Sequence, residues 1–272
     1  MLSFLNQYLP ASITASFKNP LRYFIRRQQG HIEAQLSLLQ LRGVLPPVPP
    51  EALQTRVAGQ AYGNFFLHGN QFIDDLEAAL RKYGKSLADF RRILDFGAGC
   101  GRVIIPLSFR VDPEKLYGTD IDQEAIDWLS LNYPNFGGLS CNPCLPPTSH
   151  PDGFFDLIYS ISVFTHLPED MQFAWLDELR RITAPGGYLL LSFHGNHVAA
   201  SLGDEVVQAV DERGFYYMKS AKGFTKGLPT FYQEAFHTHA YIEQHWGQYF
   251  DILDLIPGGI GNHQDLAVLR RN

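Results

Sequence analysis

Two carboxylates and three glycines carry the most specific chemistry in this chain. In "RRILDFGAGCGRVIIPL", residues 91–107, an apolar run climbs to Asp95, and Gly97, Gly99 and Gly101 follow at alternate positions. Glycines spaced this closely let a backbone turn tightly and meet a ligand where a Cβ would intrude. A G-x-G-x-x-G loop would seat a dinucleotide pyrophosphate on helix N-terminal amides. The spacing here is G-x-G-x-G, with Asp95 two residues ahead of it. A carboxylate is repelled by a pyrophosphate and attracted by a cation, so the pattern points to a cationic ligand. Asp120 closes "KLYGTD", 19 positions past Gly101, where a carboxylate can accept hydrogen bonds from a ribose.

These residues need a scaffold that brings strand ends together. Strand-like runs occur at "RRILDF", "KLYGTDI", "FFDLIYSI", "GGYLLLSF", "YFDILDLI" and "DLAVLRR", and helical patterns such as "EAIDWLSLNY" and "EDMQFAWLDELRRI" lie between the earlier ones. Such alternation predicts a mostly parallel sheet wrapped by helices, which binds ligands beyond the carboxyl ends of its strands. The glycine loop stands at that point, directly after "RRILDF". Only "PGGIGNHQ" separates the last two strands, which predicts an antiparallel pair at one edge. Before the sheet, "NQFIDDLEAALRKYG" places Phe72, Ile73, Leu76, Ala79, Leu80 and Tyr83 on one helical stripe, with Gly84 as its C-cap. A ligand with an ammonium, a sulfonium, a ribose and no phosphate meets every demand of the loop: S-adenosylmethionine.

"ILDFGAGCGR" together with "LYGTDID" resembles the first two signatures of class I S-adenosylmethionine-dependent methyltransferases. "FFDLIYSISVFTHLPED" is similar to that family's fourth-strand segment, and "LRRITAPGGYLLLS" to its helix, Pro-Gly-Gly turn and fifth strand. The four motifs cover residues 91–193. The resemblance implies an α/β fold: a Rossmann-like, seven-stranded, mostly parallel sheet with helices on both faces and an antiparallel last strand. It implies that Gly97, Gly99 and Gly101 line the methionyl part of the cofactor, with Asp95 near its amino group; Ala98 and Arg102 are further cofactor-binding candidates, a surface residue at a helix start being the alternative for Arg102. Asp120 would hold the ribose and Ile121 would pack on the adenine. The family commonly places an acidic residue after the third strand to accept the adenine amino group. Here the segment reads "LSCNPCLPP", and the side-chain carbonyl of Asn142 is the nearest polar substitute. Ser160 and Ser162 fall where the family contacts the methionine end.

Methyl transfer from a sulfonium needs an aligned nucleophile and a group to take its proton, a task that suits an imidazole of near-neutral pKa. His166 in "SVFTHLPED" and His194 in "LSFHGN" both follow strand ends and are the catalytic candidates; a loop tether is the alternative role for His166. His237 and Tyr241, with His239 and His263 nearby, are candidates for a substrate pocket. Their spacing does not define a metal site, and none is expected. "RVAGQAYGNFFLHGN" supplies Arg56, Tyr62 and His68 as further polar candidates near the cofactor. Cys141 and Cys144 lack the four-ligand set of a structural zinc site and the helix start of a redox pair, and read as packing cysteines of a buried loop.

The 272-residue chain is 45% hydrophobic and 18% charged, enough for one sizeable α/β core. "VLPPVPP" at 44–50 breaks any helix and sets a boundary between a helical extension, 1–50, and a methyltransferase domain, 51–272. Within the latter, 51–90 forms a helical cap, and 194–245 interrupts the sheet either as an aromatic lid over a small acceptor or as rigid packing. Residues 1–32 carry Lys18, Arg22, Arg26 and Arg27 and no acid. They fit a basic amphipathic helix that packs on its own domain, or that docks on a membrane surface or protein partner. Three cysteines are too few for a disulfide framework, and no basic n-region precedes an apolar run, so a cytoplasmic location is expected. The net charge of −6 argues against a nucleic-acid partner. The expected acceptor is the oxygen or nitrogen of a small organic molecule such as a sugar, polyketide, amino compound or phenol. The alternatives are a noncatalytic binding protein of the same fold, and a nucleic-acid or protein methyltransferase. Oligomeric state is not encoded in any pattern recognised here.

Overall fold

The computed structural model describes residues 46–59, 65–218 and 228–272. The chain divides into two units, Met1–Val48 and Pro49–Asn272, and every element named below belongs to the second. The basic segment 1–32 and Tyr62 lie outside the described residues.

Near-continuous apolar runs, buried on both faces, build the central strands of the sheet. Its strands are β1 (Ile93–Phe96), β2 (Leu116–Asp120), β3 (Gly138–Cys141), β4 (Phe155–Ser160), β5 (Thr183–Phe193), β8 (Asp251–Ile260) and β9 (Gln264–Arg270), in the order β3-β2-β1-β4-β5-β9-β8. β1 to β5 pair in parallel, and β9 runs antiparallel between β5 and β8. The "PGGI" segment extends β8 rather than forming a loop. A bulge between Ile256 and Ile260, with Gly258 at φ 61°, absorbs it, and the turn shrinks to 261–263.

Side chains alternate between two apolar layers. Ile93, Leu157 and Tyr159 face one layer, and Leu94, Phe96 and Ile158 face the other. Helix α2 (Phe65–Arg81) buries Ile73, Leu76, Ala79 and Leu80 in the first layer. It ends at Arg81, and Gly84 at φ 66° completes the exit turn as Lys85 donates its amide to the Leu80 carbonyl. Helix α5 (Glu169–Ile182) buries Trp175, Leu176, Leu179 and Ile182 in the second, with acids in its first turn and arginines in its last. Each such side chain contributes about 1.5–3 kcal/mol on leaving water, as an upper bound.

Residues 194–218 and 228–245 fold onto the carboxyl end of the sheet. They include α6 (Asn196–Ala200), α7 (Asp204–Arg213) and an antiparallel pair, β6 (Phe215–Met218) and β7 (Glu234–His237). α8 (His239–His245) follows, and Trp246 beyond it is fully buried against Phe164 and Phe193. Among the described residues no helix is long and apolar enough to cross a membrane.

Candidate active site

The glycine loop leaves β1 where β1, β2 and β4 end together. Gly97 and Ala98 donate their amides to the Thr119 carbonyl of β2, at 2.9 and 3.0 Å, which folds the chain back over the strand ends. Gly97 holds φ 91° and Gly99 φ 52°, in the left-handed region that favours glycine. A Cβ on Gly97 would lie 2.3 Å from Val163, and one on Gly99 2.5 Å from Val57. Val57 belongs to α1 (Glu51–Ala58), a strap across the loop whose Arg56 pairs with Glu124 and, at 3.2 Å, with Asp122.

The Asp120 carboxylate is aimed by two backbone amides. Gly99 donates to one oxygen at 2.7 Å and Asp122 to the other at 2.9 Å. Each oxygen keeps lone pairs free for a diol. Burial raises the Asp120 pKa while these two amides hold it down. Asp122 in turn caps α4 (Gln123–Asn132), accepting the Ala125 amide at 3.3 Å.

A cleft opens here. Of the expected cofactor residues, Gly97, Gly99, Arg102, Asp120, Ile121 and Asn142 line it. Asp95, Ala98 and Gly101 are buried behind it. Ser160 is fully buried at the end of β4 and does not reach the cleft; Ser162, two residues on, does. Asn142 is nearly buried, and its side-chain carbonyl already accepts the Thr119 hydroxyl at 2.9 Å. Cys141 and Cys144 are exposed, not packed: Cys141 ends β3, at the edge of the sheet, and Cys144 lies in the "NPCLPP" segment beyond it and borders the cleft.

Ser162 is held in a strained backbone at φ 64° by three bonds. Its amide donates to Ser192 Oγ at 2.9 Å, its carbonyl accepts the Tyr232 hydroxyl at 2.8 Å, and its Oγ accepts from Gln264 at 2.8 Å. Tyr232, Phe231 and Leu228 of the 194–245 insertion form part of the cleft wall. Nothing in the local period of that segment announced these contacts, which depend on β7. That strand lies across two loops: Ala235 donates to the Thr165 carbonyl and His237 to the His194 carbonyl, both at 2.8 Å.

The same crossing brings His166 and His194 together, with ring centroids 5.9 Å apart. His166 Nδ1–H donates to the Gln233 carbonyl at 2.6 Å, and its ring stacks on Tyr232 at 4.3 Å, so it stands behind the cleft wall. Burial lowers its pKa to about 4, partly opposed by that carbonyl. Burial lowers His194 well below its ordinary value, reinforced by the neighbouring histidines. Both imidazoles are neutral at pH 7.

His237 and Tyr241, the expected substrate residues, are buried and do not line the cleft. His237 is fully buried and donates Nε2–H to Gln172 Oε1 at 2.9 Å, while Gln172 donates to the Phe164 and Leu167 carbonyls. Its task is to brace the loop that carries His166. The Tyr241 hydroxyl donates to Glu169 at 2.6 Å, and its ring packs on Phe215 and His245. Among the described residues no group of histidines, cysteines and carboxylates is arranged to hold a metal ion.

The sheet order, the reversed β9 and the glycine cleft define a class I S-adenosylmethionine-dependent methyltransferase fold. A family model for a methyltransferase domain matches residues 67–245, and the chain belongs to that family. Membership implies S-adenosylmethionine as cofactor. A methyltransferase from Mesorhizobium loti superposes with a TM-score of 0.54 at 15% identity, covering 71% of this chain and 96% of that one. Those from Clostridium acetobutylicum and Aquifex aeolicus give TM-scores of 0.53 and 0.51 at 13% and 15% identity. They cover 74% and 80% of this chain, and 91% and 98% of theirs. These likenesses show the fold. The tRNA N(3)-cytidine methyltransferase METTL2 of Danio rerio is 33% identical over 121 residues, which are 41% of this chain and 34% of that protein. The match thus spans about a third of the relative's length.

Proposed function

We propose that this protein transfers a methyl group from S-adenosylmethionine to an oxygen or nitrogen of a small organic acceptor. The observation that carries the reading is the Asp120 carboxylate, fixed by two amides at the mouth of a cleft bordered by Gly97 and Gly99, whose left-handed backbone packs too closely on Val163 and Val57 for any Cβ. The residues fit the cofactor: Asp120 accepts the ribose hydroxyls, Ile121 covers the adenine, and Gly97 and Gly99 admit the methionyl chain. When bound, S-adenosylmethionine would supply an activated methyl for an acceptor oxygen or nitrogen, with the sulfur keeping the bonding pair and the acceptor's proton released to solvent water. Tyr232 and Ser162 form the wall at the methionyl end, and the neutral imidazoles behind that wall can accept a hydrogen bond there. Protonated His166 or His194 would be costly in so buried a place, so these two orient an acceptor better than they retain its proton.

Titration calorimetry with S-adenosylhomocysteine tests the reading. Wild type should bind at micromolar Kd, and Asp120→Ala should weaken binding by about tenfold or more, equivalent to about 1.4 kcal/mol. A folded wild type that binds neither S-adenosylmethionine nor S-adenosylhomocysteine would end it in favour of the noncatalytic alternative. The likeness to a tRNA methyltransferase favours a second reading, in which the acceptor is an RNA base.

A further inference from the structure

A second recess lies beside the cofactor cleft, between α2 and the β8–β9 turn. His68, Gln71 and Phe72, at i, i+3 and i+4 of α2, form one side. Gly261, His263 and Gln264 of the turn form most of the other. The turn is fixed to the helix, since Gly261 donates its amide to the Asp75 carboxylate at 2.8 Å.

The recess and the cleft share a thin wall. Gln264, in the recess, donates to Ser162 Oγ in the cleft at 2.8 Å. Arg102, in the cleft, lies 5.1 Å from the ring centre of Phe72, in the recess. Ser162 and Arg102 line the cleft together with Gly97 and Gly99, the part assigned above to the methionyl chain, which is where an acceptor must approach. The imidazole row also ends here: His166 to His194 spans 5.9 Å between ring centres, and His194 to His263 spans 6.0 Å.

One buried polar atom of the recess lacks a partner: Gln264 Oε1 accepts no hydrogen bond. An unsatisfied buried acceptor is destabilising, and a hydroxyl compound that donates to it would satisfy it. His194 Nδ1, farther along the path, faces the Glu234 carboxylate at 3.5 Å. The lining is selective. It contains no lysine, arginine, aspartate or glutamate, so a carboxylate, phosphate or ammonium would find no counter-charge within the lining; Arg102 and Asp75 stand behind Phe72 and Gly261. Phe72 and Ile260 offer apolar cover. The volume is about 180 Å³, and a cavity of about 150 Å³ is enough for a benzene ring.

We infer that this recess is the acceptor subsite of the proposed methyl transfer, and that it takes an uncharged, hydroxyl-bearing compound about one ring in size. Its hydroxyl donates to the His263 imidazole, and Gln264 holds the ring edge against the Ser162 wall. The inference rests on the methyltransferase reading, but the two can fail separately.

The test is ¹⁵N NMR of histidine and glutamine side chains in the protein saturated with S-adenosylhomocysteine, titrated with phenol, benzoate and benzylamine at millimolar concentration. Phenol should shift the His263 imidazole and the Gln264 amide, with the two charged rings at least fivefold weaker. His263→Ala should weaken phenol at least fivefold and leave S-adenosylhomocysteine affinity within twofold, His263→Gln should restore most of the response, and Gln264→Leu should also weaken phenol at least fivefold. Phenol that leaves these resonances unmoved, or benzoate that binds equally well, would overturn the subsite while the methyltransferase reading stands. Failure of wild type to bind S-adenosylhomocysteine would remove both.

Discussion

Asp95 is a carboxylate in an apolar layer, and its chemistry follows from that position. It shares a face of β1 with Ile93, and it is 3% exposed. Burial raises its pKa to about 7, with the charge of Asp120 adding to the rise and the Tyr159 hydroxyl and Arg102 opposing it. The sign for stability follows directly. Folding favours the protonated acid, so its contribution is complete below the ordinary value of 3.8 and is lost as pH rises through about 7. A cation bound beside it reverses the preference and expels the proton. The affinity of wild type for S-adenosylmethionine, relative to Asp95→Asn, should therefore rise about threefold to tenfold between pH 6 and 8. Calorimetry across that range checks it, and the ratio cancels the titration of the ligand's own amine. A flat ratio would mean that Asp95 does not sense the cofactor.

At the scale of elements, the glycine cleft depends on a contact between α2 and the loop that follows it. Gly69, inside α2, meets Arg102: a Cβ there would sit 1.8 Å from the Arg102 carbonyl oxygen and 2.9 Å from its carbon. Backbone cannot rotate away as a side chain can. Gly69→Ala should cost about 3 kcal/mol, at the upper end for overpacking, and lower Tm by roughly 6–12 °C. It should also weaken S-adenosylhomocysteine, because the displaced backbone carries the loop. Denaturant unfolding that shows a loss under about 0.5 kcal/mol would mean that α2 can slide without disturbing the site. The loop, Asp120 and the strands were legible because each depends on neighbours within a few residues. Gly69 was not, since a glycine within a helical stripe has no local reason visible in the pattern. The misplacement of His237 and Tyr241 has the same origin. Two polar rings at a strand end look available until Gln172 and Glu169, more than 60 residues earlier, are brought to them by the fold.

The whole molecule decides between the two acceptor classes. The sheet was readable from the alternation of strands and helices, but the recess proposed for the acceptor was not, because its walls come from α2 and from the turn 261–263, almost 200 residues apart. Charge is a property of the complete chain: 28 acidic residues stand against 22 lysines and arginines. A protein that grips RNA by neutralising six to ten phosphates loses roughly 10³–10⁵ in affinity between 50 and 200 mM salt. A chain of net charge −6 has no general excess of cations for such a grip. The expected outcome is that tRNA is not retained with the protein on filters at 150 mM KCl, and that any binding at 20 mM KCl falls with a slope of about two ions or fewer. Submicromolar retention at 150 mM with a slope of six or more would reverse the choice. It would mean that basic residues are concentrated on one surface, and it would make an RNA base, presented at the methionyl end of the same cleft, the acceptor in place of a free hydroxyl compound.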